Sequence, residues 1–312
     1  MTRSARLKAF AKLNLGLRIL YKRPDNYHEI RTVFQTISLA DEIEIEFSKA
    51  RSTSIEIEGT PEIPDNLVER AARLLLQHMD LNARVAFRLK KSIPAGAGLG
   101  GGSSDAAAVL LALPVLVGRR ISPEDLHGIA AQLGSDVPFF LEGGAALGLG
   151  RGEELYPLPH RLAARALLVA PAVHSSTAEA YRDASAKLTS IGLQNKLFSF
   201  QQEVWQASAG AMGDTHNDFE EGVFARHPEL RGISDRLIRS GAHPVAMTGS
   251  GSSIFGVFSD RERLHRAQKA FSSEQTFEVT FLSRSQYRSA WKRALKQHTK
   301  GDLWPPQSRY AR

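Results

Sequence analysis

From Ala83 to Lys91 apolar and polar residues alternate, Val85, Phe87 and Leu89 against Arg84, Arg88 and Lys90, which is the period of a half-buried strand. From Asp105 the pattern changes to DAAAVLLAL, a run of strong helix formers. The stretch between them, PAGAGLGGGSS from Pro94 to Ser104, therefore joins a strand to a helix, with Ser103 or Ser104 placed to cap the latter. Upstream, the chain opens on a strand-like stretch from Leu7 to Leu20, turns at Pro24-Asp25-Asn26 and returns through two β-rich runs ending near Phe47. Asn66 to Met79 predicts a helix with Leu67, Ala71, Leu74, Leu75 and Met79 on its core side and Asn66 as its cap.

Beyond the glycine stretch a helix runs from Pro123 to Gly134, and Pro138 biases its predecessor away from helix, setting a turn that presents Asp136. A second glycine-rich patch, Gly143 to Gly152, reads as close strand packing at the start of a domain crossing rather than as a phosphate site. Leu167 to Val169 is strand-like, and the polar stretch Ala184 to Gln202 is a connection. HNDFE then opens a helix with Asp218 and Glu220 in its first turn, and Met247 to Gly256 gives a glycine turn followed by a strand.

The 312 residues, 42% of them hydrophobic, suffice for one large or two ordinary domains. There are no cysteines, so disulfides, thiolate zinc sites and thiol catalysis are excluded. No apolar run approaches the ~20 residues of a membrane span, and the N-terminal stretch lacks the continuous apolar segment of a signal peptide. A soluble, cytoplasmic protein is expected. The formal charge of +7 is concentrated at one end: Arg284 to Arg312 holds eight basic residues and one acid, Asp302, a surplus that equals the whole excess. Arg284, Arg288, Lys292, Lys296 and Lys300 recur every four residues, so a helix there carries one basic stripe. Such a stripe is most simply a solvated face, with an acidic partner, a membrane surface or RNA as the alternatives.

The glycines carry the chemistry. Gly96, Gly98, Gly100, Gly101 and Gly102 permit positive φ and close approach of a ligand, and the first amides of the following helix lack acceptors, so together they cradle a phosphate. The dinucleotide fingerprint fits badly, because no acidic residue ends a second strand about 20 residues on. A Walker loop fits no better, because no Lys follows the glycines. Lys12 and Asn14 sit in AKLNLGL, and a Lys within an apolar strand either snorkels or faces an anion in a cleft. By pattern alone Tyr27 and His28 are packing or surface residues at a loop edge.

PAGAGLGGGSS resembles the second motif of the GHMP kinases, and AKLNLGLRILYKRPDNYHEIRTVFQTISLAD, DNLVERAA, GSDVPFF, HNDFE and MTGSGSSIFG extend the resemblance through the first 256 residues. The match is to the branch whose acceptor carries a cytidine diphosphate. The resemblance implies an α+β protein with the two-domain GHMP fold: a ribosomal protein S5 domain 2-like ATP-binding domain over 1–160, a ferredoxin-like α/β domain over 161–290, and a basic tail over 291–312. It further implies ATP and Mg²⁺, the metal ligands being left open. Lys12, Asn14 and Asp136 become the catalytic cluster. Asn66, Leu67 and Pro94, Ala95, Gly96, Ala97, Gly98, Leu99, Gly100, Gly101, Gly102, Ser103 and Ser104 bind ATP. Tyr27, His28 and Phe34 hold the cytosine end of the acceptor, Tyr181 sandwiches the base, and Gly249, Ser250 and Gly251 close over the site. Another small-molecule kinase of the superfamily, such as a homoserine kinase, is the alternative; it should lack the pocket of Tyr27, His28 and Phe34. From a different class, a nucleic-acid-binding protein acting through the basic tail is the other, although nucleic acid is not the expected partner. A monomer or homodimer is expected.

Overall fold

The computed structural model describes residues 2–59, 65–159, 164–186 and 215–299. Two long strands open it: β1 (Arg3–Lys22) and β2 (His28–Lys49) pair antiparallel along nearly their whole length. The two β-rich runs expected after the turn are thus one strand, and its length lets it serve several partners. Over Glu42–Lys49 it pairs with β4 (Ala83–Lys90) and over Thr32–Gln35 with β5 (Ala145–Leu149). β3 (Ser54–Glu58) runs parallel to β4, and β6 (Glu154–Pro157) pairs with β5, giving the order β3-β4-β2-β5-β6 with β1 on β2. The alternation read in β4 holds: Val85, Phe87 and Leu89 are buried and Arg84, Arg88 and Lys90 exposed.

Helices α1 (Leu67–His78), α2 (Gly101–Val117), α3 (Pro123–Leu133) and α4 (Val137–Glu142) pack on this sheet around one core. α2 lies among α1, α3, α4, β1 and β2, which is why its sequence is apolar on every side. Its cap differs from expectation. Gly100, at φ +71°, occupies the N-cap with no side-chain bond, and Ser104 Oγ donates instead to Phe10 O at 2.7 Å. Asn66 does cap α1, its side chain accepting from Val68 N at 2.9 Å. Val137, expected outside a helix, is the first residue of α4, because Pro138 falls in the first turn, where a missing N–H costs no bond.

A second sheet has the order β10 (Gln275–Thr280), β7 (Arg165–Ala170), β9 (Ile254–Phe258), β8 (Val245–Met247), each neighbouring pair antiparallel. Strands β7, β8 and β9 are largely apolar on both faces because both are covered, whereas β10 at the sheet edge carries Gln275, Thr276, Glu278 and Thr280. Leu167 and Val169 join a core with residues of α5 (Thr177–Ala186), α6 (Glu220–Arg226), α7 (Pro228–Arg239) and α8 (Arg261–Gln268). Ala166 and Leu168 join another with Leu13, Leu15, Ile37 and Leu99 of the first part. The helix read from HNDFE starts later, at Glu220. Asp218 turns back to β1, accepting from Ile19 N at 2.7 Å and pairing with Arg18 at 3.3 Å and His216 at 2.9 Å, so its carboxyl lies below the ordinary range despite burial. Of the connection expected over Ala184 to Gln202, Ala184–Ala186 is the last turn of α5 and 187–202 lies outside the described residues. In the second glycine patch the close packing is present: a Cβ on Gly148 would stand 2.6 Å from the Phe34 ring.

α9 (Arg284–Leu295) opens on a full capping box made by Ser283 and Gln286 and lays Tyr287, Trp291 and Leu295 into the first core. The tail expected from 291 is therefore, as far as Leu295, the second half of a core helix. Nor is the basic stripe wholly solvated: Arg288 Nη2 lies 2.7 Å from the buried Glu142 carboxylate, with Arg284 Nε at 4.0 Å. Lys300 to Arg312 lies outside the described residues.

Candidate active site

Lys12 and Asn14 are two residues apart on β1 and so share a face. Their neighbours Ala11, Leu13 and Leu15 fill the core between the sheets, which turns the polar pair into a cleft on the opposite side. The β1–β2 register slips on both sides of this tripeptide, between Phe10 and Lys12 and between Asn14 and Gly16, a local re-aiming common beside active sites. Lys12 does not snorkel; it is 3% exposed. Its ammonium donates to Asn14 Oδ1 at 2.5 Å, lies 3.4 Å from Asp136 Oδ2 and stands 5.6 Å from the Phe34 ring centre. Asn14 is itself held: Nδ2 donates to Thr32 Oγ1 at 2.7 Å, and its backbone N–H donates to Thr248 Oγ1 at 2.9 Å. Asp136 occupies the N-cap position of α4 yet makes no capping bond, so its carboxylate is left to the cleft. The three expected catalytic residues thus meet in one place.

The glycine loop divides two cavities. A pocket of about 370 Å³ is lined by Asn66, Leu67 and Pro94 through Ser103, every residue expected at the nucleotide except Ser104, whose hydroxyl is spent on Phe10. On the other side lies a cleft of about 1070 Å³ that shares Gly96, Gly98, Gly100 and Ser103 and holds Lys12, Asn14 and Asp136. The turn Met247–Ser253 locks onto the loop. A Cβ on Gly98, at φ +76°, would run into Thr248 O, and one on Gly249 would stand 3.1 Å from Gly98 O. Asn217 Nδ2 donates to Met247 O and Gly249 O at 2.9 and 2.8 Å, fixing that turn from the side. Gly249 and Ser250 line the large cleft, and Gly251 packs against the glycine loop, its carbonyl oxygen 3.1 Å from where a Cβ on Gly98 would stand.

At the far end of the cleft the His28 and Tyr181 rings stack, centres 5.0 Å apart, and Ser185 Oγ lies 2.5 Å from His28 Nε2. Burial, then the nearby Lys22 charge, holds the His28 imidazole below its ordinary pKa. Burial, aided by the Asp136 charge, pushes the Tyr181 hydroxyl up to about 12. Tyr27 is exposed and carries the Arg151 guanidinium over its ring at 4.9 Å. Phe34 lines the same cleft, where it stacks on Phe139 at 4.9 Å and stands 5.6 Å from the Lys12 ammonium.

Sequence reasoning missed Thr32, Thr248, Lys22, Arg151, Arg182 and His174, all at or beside the cleft. Thr248 had a signal, since it lies within the MTGSGSS motif. The others are ordinary surface residue types until the chain folds. Also unread was a charged triad under the loop, in which two buried aspartates meet a lysine that reaches the surface. Lys91 Nζ bridges Asp41 and Asp105, 2.5 Å from the latter, and Asp41 Oδ1 accepts from Ser92 N and Ile93 N at 2.5 and 2.8 Å. Burial pushes the Asp105 carboxyl up to about 7 against the opposing pull of Lys91, with Asp41 adding to the rise.

The comparisons with known proteins agree with this geometry. The profile described as GHMP kinases N terminal domain matches residues 66–144, and that described as GHMP kinases C terminal matches 199–275. The chain is 53% identical over 313 aligned residues to the 4-diphosphocytidyl-2-C-methyl-D-erythritol kinase of Solibacter usitatus, covering 99% of this chain and 98% of that one. It is 39% identical to the enzyme of the same name from Moorella thermoacetica, over 89% of this chain and 98% of the relative. A crystal structure of 4-(cytidine 5'-diphospho)-2C-methyl-D-erythritol kinase superposes with a TM-score of 0.73 at 34% identity, covering 90% of this chain and 99% of that one. With the two-sheet α+β architecture, the glycine loop and the Lys12–Asn14–Asp136 cluster in place, the chain belongs to the 4-diphosphocytidyl-2-C-methyl-D-erythritol kinase family of the GHMP kinases.

Proposed function

We infer that this protein transfers the γ-phosphoryl group of ATP to the 2-hydroxyl of 4-diphosphocytidyl-2-C-methyl-D-erythritol, in the non-mevalonate isoprenoid pathway of the cytoplasm. The observation that carries the reading is the glycine loop lying between a nucleotide-sized pocket and a long cleft with the Lys12–Asn14–Asp136 cluster at its foot. ATP lies in the smaller pocket, its base against Asn66 and Leu67 and its phosphates on the loop amides and the start of α2. The acceptor lies along the cleft. Its cytosine meets Tyr27, His28 and Tyr181, its diphosphate meets the cations Lys22 and Arg182, and its hydroxyl reaches Asp136. Because His28 already stacks on Tyr181, a base cannot enter between those two rings unless they part: a sandwich needs ring planes roughly 7 Å apart, twice an ordinary carbon contact.

Phosphoryl transfer through a loose transition state asks mainly for positioning and charge stabilisation. Asp136 accepts or orients the proton of the acceptor hydroxyl, Lys12 offsets charge on the transferring oxygens, and Asn14, braced by Thr32 and Thr248, holds the Lys12 ammonium in place. Among the described residues no three His, Asp or Glu side chains converge as a metal cage. That suits Mg²⁺ bound chiefly through substrate phosphates, with Ser103 Oγ and Asp136 the side chains that would reach it.

The test is ADP release from Mg²⁺-ATP with the diphosphocytidyl acceptor, run beside homoserine, mevalonate and galactose. Turnover with the cytidyl compound alone is expected. Turnover with homoserine instead would discard the base-binding end of the cleft, and silence with all four would discard the kinase.

A further inference from the structure

α4 is only six residues long, yet it touches each part of the reaction centre. Asp136 stands at its first end. The Phe140 ring supports the loop from below, so close that a Cβ on Gly100 would lie 2.9 Å from it and 3.3 Å from Lys12 Cγ. Phe139 stacks on Phe34, the ring beneath the Lys12 ammonium. So short a helix has too few internal hydrogen bonds to hold itself, and its position is set from outside.

What holds its far end is α9. The Tyr287 hydroxyl, at the fully buried end of its ring, donates to Phe140 O. Arg288 Nη2 meets Glu142 at 2.7 Å, and Arg284 Nη2 donates to Ala145 O at 3.1 Å, just past the helix end. Gly143 and Gly144, both at positive φ, let α9 approach without a gap: a Cβ on Gly143 would enter the Tyr287 ring, and one on Gly144 would stand 2.7 Å from Arg284 N. The first two residues of the basic stripe thus serve a purpose that their spacing alone did not reveal.

We propose that α9 is a clamp on α4, and that Tyr287, Arg288 and Glu142 are positioning residues for the transfer step, acting through α4 on Asp136 and the floor under Lys12. The proposal rests on the reading of Asp136 as the group that handles the acceptor proton. A clamp of this kind acts on alignment at the moment of transfer rather than on binding. Loosening it therefore lowers kcat and leaves KM for both substrates nearly unchanged, and displacements of about 1 Å are enough for an effect of up to ~10²-fold.

The experiment compares Arg288→Met, Arg288→Lys and Tyr287→Phe with Asp136→Asn, all at a temperature well below each variant's Tm. Arg288→Met and Tyr287→Phe are expected to lose about tenfold in kcat, with both KM values within twofold and with faster amide exchange confined to Val137–Glu142. Arg288→Lys is expected to recover part of the rate. The clamp is overturned if Asp136→Asn is crippled while both clamp variants keep kcat within twofold, or if their losses fall in KM instead. An unimpaired Asp136→Asn would overturn the reading of Asp136 itself, a result distinct from either. Should Arg288→Met fail to fold, Tyr287→Phe, which removes one oxygen and keeps the ring, decides the matter alone.

Discussion

Asp136 sits where an aspartate ordinarily caps a helix, and it does not cap. Its carboxylate faces Lys12 at 3.4 Å across the floor of the cleft, which leaves it free for a substrate proton. Asp136→Asn is expected to lower kcat at least ~100-fold, the usual worth of a positioned base, with ATP affinity retained in a nucleotide titration. Lys12→Met should also lower kcat, and an unchanged rate would remove Lys12 from the mechanism. A second residue-scale expectation concerns pH. The Asp105 carboxyl titrates in the folded protein at about 7, above its ordinary 3.8, so folding favours its protonated form. The stability this contributes is fully present below about pH 4 and is lost as pH rises through about 7. Thermal melts from pH 5 to 8 should therefore show the parent losing Tm relative to Asp105→Asn as pH rises, and a constant difference would contradict the assignment. At this scale the sequence yielded Lys12, Asn14 and Asp136 through motif resemblance. It did not yield Asp105 or its pairing with Lys91, since a carboxylate looks solvated until the fold shows it buried.

The elements that build the site are the glycine loop and the turn locked onto it. Gly98 at φ +76° faces Thr248 O with no room for a methyl group, whereas a Cβ on Gly128 in α3 would meet nothing within 4 Å. Gly98→Ala should cost more than the ~1–2 kcal/mol of a left-handed non-glycine residue and weaken ATP binding, because both loops must shift. Gly128→Ala should instead stabilise by roughly 0.5–1 kcal/mol. Urea unfolding of the pair checks both signs, and equal effects would sink the argument. Strand, loop and helix around Pro94–Ser104 were legible because alternation, glycine content and helix propensity are local properties. The cap was not: whether Ser103, Ser104 or Gly100 ends the loop depends on Phe10 O, supplied by a strand 94 residues away from Ser104.

For the whole molecule the C-terminal helix is the instructive case. Its basic residues suggested a solvated face, while Tyr287, Trp291 and Leu295 on another side complete the first core. Trp291→Ala should cost about 3–5 kcal/mol, read by denaturant unfolding, where a true tail residue would cost nothing. By itself the sequence determined the local elements and, through several matching motifs, the kind of chemistry, because propensity, periodicity and motif residue types are written along the chain. Only the tertiary structure decided which elements meet. It brought Phe34 beside the Lys12 ammonium, turned Asp218 onto β1, seated Gly251 against Gly98 of the glycine loop and drew α9 into the first core. Each of these depends on contacts between residues far apart in the chain, and such contacts are fixed by burial and close packing rather than by anything a neighbouring residue reports.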